Sequence, residues 1–365
     1  MTQEITREPR FKSAYDLWQE AEGARTYRGY YIEDLYTLEL APWPRFGVGG
    51  AVINLAMQVS DDAWVLEIPP GGRTEPAHHV FEAMVYVLTG RGNTRVWVEG
   101  QEPRVFEFGR GSLFAIPLNA RYQFFNASGR DPTRLLLVTS APMMINLIRN
   151  YDFIFNNAYI FTDRFDGRLD FFSDAGHEIG TRVWKTNFVP DVRRFQLRDY
   201  NERGKGSTNI KFSLAGSSMA AHISEFRVGT YKMAHRHDAG AHVVILNGVG
   251  YSCMWPDGEE WEGENWMKVD WRDGSVLSPP DQWYHQHFNA GAEPARYLAL
   301  RWNSPEYPTR SIWMPAYQDD FGHQISLEDE DPRVRALFEA ELAKRGVQSR
   351  MPPVERREPA AGGIR

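Results

Sequence analysis

From residue 51 onward the chain alternates apolar and polar residues with a period of two, in short runs divided by turn signals. Runs at 63–68, 84–88, 94–99, 113–116 and 134–139 read as strands. The turns between them are Pro69-Pro70-Gly71-Gly72, Thr89-Gly90-Arg91-Gly92, Gly100-Gln101-Glu102-Pro103 and Ser128-Gly129-Arg130-Asp131-Pro132. The pattern resumes near Ser218 and runs to about Asn303. Strands this short and regular predict an all-β protein of sandwich or barrel type. Helical periodicity is confined to the margins. Residues 12–22 form an amphipathic stretch that Gly23 can end, and 141–150 form another. Residues 332–345 make a third, with Asp331 at the N-cap, Pro332 in the first turn and Gly346 just past the end. The aromatic stretch 151–172 reads as an inter-domain or interface segment. The polar tail 347–365 reads as disordered.

The two strand-rich stretches repeat one another. Gly248-Val249-Gly250 matches Gly90-Arg91-Gly92, and the same spacing sets Gly229 on Gly71 and His237 on His79. Gly274, Pro280 and Asn289 then fall on Gly111, Pro117 and Asn126, once a longer loop around 261–270 is allowed for. The expected plan is an N-terminal arm (1–50), a first barrel (51–140), a linker (141–214), a second barrel (215–305) and a C-terminal helix with its tail (306–365).

Composition narrows the class. Hydrophobic residues make up 42% of the 365 and aromatics 13%, enough for two cores. A net charge of −7 argues against a general nucleic-acid or anionic-membrane surface. The single cysteine, Cys253, excludes an internal disulfide framework and fits a reducing cytoplasm, where it reads as a small buried apolar residue. The first residues lack the apolar core of a signal peptide, and no apolar run reaches transmembrane length. A cytoplasmic protein is the expectation.

Candidate chemistry lies in the second repeat. His235 and His237, one residue apart, share one face of a strand. His242 follows at the entry to an apolar run, and His285 stands beside the turn at Pro279-Pro280. Converging neutral imidazoles suit Fe, Zn, Cu or Ni.

The pattern Gly229-x5-His235-x-His237, followed by Gly274-x5-Pro280 with His285 and Asn289, resembles the two motifs of the cupins. It departs in carrying His242 about where that family has glutamate, and Gln282 where it has glycine. The first half keeps Gly71, Gly111, Pro117 and Asn126, but has Ala77 and Tyr122 where the second has His235 and His285. The resemblance implies two tandem jelly-roll barrels, a bicupin, with a mononuclear metal inside one barrel.

Comparison of the halves sets Ala77, Met84 and Tyr122 against His235, His242 and His285. It also sets Trp64, Leu66, Phe124 and Val138 against His222, Ser224, His287 and Arg301. A polar group inside a barrel is costly without a partner or ligand, so the second barrel is expected to hold the site and the first to be structural. His79 and Glu82 are the candidates for any residual metal in the first. The expected ligands are His235, His237 and His285, with His242 as a fourth. His287 and Arg301 are expected to act on the substrate, and His222, Ser224, Trp255, Trp283 and Tyr284 to line its pocket. His177 and His323 read as surface residues.

The His-Arg-His form resembles the gentisate and hydroxynaphthoate dioxygenases, whose active copy is commonly the first barrel. That resemblance implies an Fe(II)-dependent dioxygenase that binds O2 and a small hydroxylated aromatic or enolisable acid. The alternative is a non-oxidative hydrolase, lyase or isomerase using Mn, Zn or Ni, with Cu also compatible with the ligands. The third class is a non-catalytic metabolite-binding cupin. Exposed strand edges and the aromatic segments 151–172 and 313–317 point to a homo-oligomer.

Overall fold

A computed structural model describes residues 11–237, 240–307 and 323–355. Each strand-rich half closes into a barrel of two facing sheets. In the first half a small sheet, Arg121–Asn126, Arg91–Trp97 and Arg104–Gly109, faces a larger one. At the centre of the larger sheet Asp62–Ile68, Thr133–Thr139 and Ala83–Thr89 lie side by side, all antiparallel. The second half repeats the arrangement. Met219–Phe226, Ala295–Trp302 and Ala241–Asn247 form the centre of its large sheet. Val249–Trp255, Tyr284–Asn289 and His235–Arg236 form the facing one.

Strand periodicity sorts the side chains of the second barrel between its interior and its outer faces. Phe226, Ala241, Val243, Ile245, Met254, Trp271, Tyr297 and Ala299 pack together inside. The alternate residues of the large sheet, Ile223, Val244, Leu246, Leu298 and Leu300, join the core of the first barrel. The two barrels therefore share one continuous apolar layer. The outer face of the small sheet, Tyr251, Cys253, Trp255 and Phe288, is covered by Val334, Phe338 and Leu342. These come from the C-terminal helix Pro332–Ala343, capped by Asp331, whose side chain accepts from the Arg333 amide.

The margins differ from their sequence reading where tertiary contacts intervene. The first helix, Ala14–Glu22, has a Ser13–Asp16 capping box and ends at Gly23 with φ 65°. The N-terminal arm also supplies strands to both barrels: Arg25–Gly29 pairs with Val48–Leu55, and Tyr31–Ile32 pairs with Val276–Leu277. The tail expected to be disordered is packed over residues 347–355. The Arg350 amide donates to Gly229 at 2.8 Å, Arg335 donates to the Pro352 carbonyl at 2.9 Å, and Met351 rests on the helix-covered core. Within 151–172, Ile154, Phe155, Phe165, Phe171 and Phe172 are buried, whereas Tyr151, Phe153, Tyr159 and Leu169 are exposed. Residues 313–317 lie outside the described residues. No described helix is long and apolar enough to cross a membrane.

Between the barrels Glu82 accepts hydrogen bonds from Arg164, the Ser217 hydroxyl and the amides of Ser218 and Met219. A buried carboxylate so satisfied is a structural tie. It also excludes Glu82 from any residual metal site in the first barrel.

Candidate metal centre in the second barrel

His235 and His285 stand opposite each other in an antiparallel pair, with ring centroids 4.3 Å apart. His237 follows the same strand, its ring 4.9 Å from His285. One ligand nitrogen from each of the three lies within 4.8 Å of the others. The motifs that carry them are stitched together. The Gln282 amide donates to the His237 carbonyl at 3.3 Å, and Gln282 takes φ 63°, a conformation that glycine adopts freely. The Asn289 side chain holds the carbonyls of Phe226, Arg227 and Glu293, as Asn126 in the first barrel holds those of Ile68, Pro69 and Asp131. The matching asparagines of the repeat are thus loop ties rather than site groups.

The donor set fits a divalent ion. Nδ1 of His235 lies 3.1 Å from the Met233 carbonyl, and Nδ1 of His285 lies 3.2 Å from the Trp283 carbonyl. A carbonyl only accepts, so each Nδ1 carries the proton and each Nε2 keeps its lone pair for a ligand role. Burial lowers His285 to about 3 and, with Arg203 nearby, holds His235 well below the ordinary histidine value. Both imidazoles are therefore neutral, the ligating form.

His242 does not join this group. It shares a strand face with Val244 and Leu246, which pack toward the first barrel, whereas Ala241 and Val243 face the interior. It is fully buried, and neither ring nitrogen has a hydrogen-bond partner; Nδ1 lies 3.9 Å from Asp61. A one-residue difference in strand position accounts for the correction, and Ala241 is the residue turned toward the site. Two of the expected pocket residues also face away. Trp255 and Tyr284 stack on each other at 5.7 Å within the layer beneath the C-terminal helix. Trp283 is half-buried and stacks on Tyr30.

The other expected residues line the interior. Register pairs Ser224 with Tyr297, His222 with Ala299, and Ala220 with Arg301, all on the inner face. The same registers pair Thr139 with Asp62 and Ala83, so Thr139, rather than Val138, is the counterpart of Arg301. His287 lies with His285 on the inner face, their rings 5.7 Å apart. Its Nδ1 is 2.7 Å from the Ser252 hydroxyl, which also accepts from the Trp271 indole at 3.0 Å. The hydroxyl has one proton and two lone pairs, so it can serve either tautomer of His287, and the contact holds the ring in place. His177 and His323 are exposed, as expected.

Sequence reading missed Lys232 and Tyr297. Lys232 is 1% exposed, and its ammonium lies 2.9 Å from the Tyr297 hydroxyl. The signal was available in the repeat: Lys232 donates its amide to His287 as Thr74 does to Phe124, so a lysine stands where the first barrel has threonine.

Paired barrels with a histidine cluster in one of them define the class: a two-barrel jelly-roll protein with a candidate metal centre. Residues 64–139 match the family described as Cupin domain. Two oxalate decarboxylase structures are similar in fold. One, from Bacillus subtilis and concerned with Mn(II) centres, is 12% identical, with 75% of this chain and 77% of that chain covered and a TM-score of 0.50. The other, from Lactobacillus farciminis in a formate complex, is 12% identical, with 78% and 88% covered and a TM-score of 0.51. No curated protein sequence matches the chain. The family match lies within the first barrel, and the likeness of the chain as a whole is one of fold, the two-barrel arrangement of those structures.

Proposed function

We propose that the chain is a metal-dependent enzyme in which His235, His237 and His285 hold a divalent ion through Nε2, and whose substrate is a small carboxylate. The observation that carries this reading is the trio itself: three imidazoles with ligand atoms within 4.8 Å, two of them oriented by backbone carbonyls. Three neutral ligands leave the ion's charge uncompensated, which favours an anionic substrate. Arg301 and Lys232 add positive charge to the interior, and His287 in its Nε2–H tautomer would offer a hydrogen bond to a substrate oxygen. Met254, Val243 and Ala299 supply apolar wall that excludes water. A bound ion would supply Lewis acidity and charge stabilisation.

The reaction class proposed is non-oxidative, a lyase or hydrolase using Mn(II), Zn or Ni. The fold neighbours that act on oxalate support it. A second reading, an Fe(II)-dependent dioxygenase, is favoured by one observation: with Ala241 at the inward position no carboxylate among the described residues joins the trio, which would leave room for both O2 and a chelating substrate. The test is metal analysis of the purified protein, then CO2 release from oxalate and malonate without O2. O2 uptake is measured in parallel with gentisate, salicylate, catechols and β-diketones after Fe(II) loading. Manganese content with anaerobic turnover supports the first reading. O2 uptake confined to the iron form replaces it with the second. A homo-oligomer built on exposed Tyr151, Phe153 and Tyr159 is part of the same proposal, and light scattering tests it.

A further inference from the structure

Lys232 lies deep in the second barrel in surroundings that do not neutralise it. Its amide donates to the His287 carbonyl at 3.1 Å, which anchors the residue beside the small sheet. Its stem then carries the ammonium inward, 4.6 Å from the Tyr297 ring centre and 5.5 Å from that of Phe226. Among the described residues it makes no ion pair, and its hydrogen-bond partner is the neutral Tyr297 hydroxyl. A buried ammonium without a counter-ion is strongly disfavoured. Burial lowers the affinity of Lys232 for its proton. Burial alone would raise Tyr297, but the Lys232 charge and hydrogen bonds from Lys232 and Ser224 bring it below its ordinary value.

The groups around this pair are neutral imidazoles and hydroxyls that can donate. The Tyr297 ring packs 5.3 Å from His287, which lies on the inner face, and 5.9 Å from His222. His222 is on the inner face of the barrel and is half-buried. The inward positions on the large sheet otherwise carry Ser224, alanines, Val243, Ile245 and Arg301. No carboxylate stands among them.

We infer that Lys232, Tyr297, His287 and His222 form an oxyanion-binding floor in the second barrel, which takes a second carboxylate of the substrate while the first faces the histidine trio. This rests on the proposed metal-dependent reading and narrows its substrate class to compact dicarboxylates. The floor has an activity-independent signature, because anion binding there needs no metal.

The experiment is calorimetric titration of malonate and succinate into the full-length protein, wild type and Lys232→Met, each with Mn(II) and after chelation. Lys232→Met keeps the stem and removes the charge; Lys232→Arg restores charge, and Tyr297→Phe removes only the hydroxyl. The expected result is at least about 10-fold weaker dicarboxylate binding by Lys232→Met in both metal states, with partial recovery in Lys232→Arg. Mn(II) affinity should stay within about twofold of wild type, and circular dichroism verifies folding. Equal dicarboxylate affinity in wild type and Lys232→Met overturns the floor. Should wild type fail to bind any divalent ion, the metal reading falls, and the chelated titration still tests the floor. If Lys232→Met does not fold, Tyr297→Phe must weaken binding in the chelated protein, or the inference is overturned.

Discussion

Nε2 of His79 lies 3.1 Å from the Tyr122 hydroxyl, filling in the first barrel the place where the second sets His237 against His285. His79 Nδ1 donates to the Phe81 carbonyl at 2.8 Å, so the phenol must donate to Nε2. Phe81 stacks on the imidazole at 3.7 Å. The lone pair that would hold a metal in one barrel accepts an internal hydrogen bond in the other.

Replacing Tyr122 with Phe strands that lone pair in an apolar interior. The expected cost is about 1–3 kcal/mol, read as a lower urea midpoint with unchanged slope. Metal content should be unaltered, because the second barrel holds the trio. Loss of metal from Tyr122→Phe would place a ligand site in the first barrel instead.

His285→Ala and His242→Leu separate the inward histidines from the buried one. His285→Ala should weaken divalent-ion binding by at least about 10-fold. His242→Leu should leave it within about twofold. It should also hold or raise stability by about 1 kcal/mol, since it deletes two unpartnered nitrogens from a buried site. Equal metal loss in both variants would return His242 to the ligand set.

Asp62 makes a prediction about pH. Burial raises its carboxyl to about 8, although Thr139 and Trp64 donate to it at 2.7 and 2.9 Å. The native state keeps this proton up to about pH 8, while the unfolded chain loses it near 3.8. Stability from this group is therefore complete below pH 4 and falls as pH rises toward 8, by up to about 1.4 kcal/mol per unit. Asp62→Asn removes the titration. Its stability relative to wild type should climb between pH 5 and pH 8 in urea melts; a constant difference would show that the native carboxyl is already ionised.

Glu82→Ala should destabilise by about 3 kcal/mol, because Arg164 and the amides of Ser218 and Met219 lose their shared acceptor. Chemical denaturation with fluorescence from both barrels reads the loss. A change below about 0.5 kcal/mol would mean that water replaces the carboxylate.

Much of the site was legible along the chain because the repeat made each half a control for the other. His235, His237 and His285 stood out against Ala77, His79 and Tyr122, and the structure brings those three histidines together. Trp255 and Tyr284 illustrate the limit. Their strands were visible, but an aromatic residue fits equally well on either face of a strand, and only the C-terminal helix shows which face is the outer one. His242 failed for a related reason: in a period of two, a slip of one residue exchanges inside for outside.

The sequence by itself determined the strands, their duplication, the terminal helix with its Asp331 cap, and which half carries the histidines. Period, turn chemistry and capping are local, so neighbouring residues suffice to specify them. Only the tertiary structure decided which side of each strand meets the barrel interior. It alone turned Ala241 inward and His242 outward, and brought Lys232 onto Tyr297, residues far apart in the chain. Facing depends on what packs against each sheet, and that is settled only when the barrels and the helix close on one another.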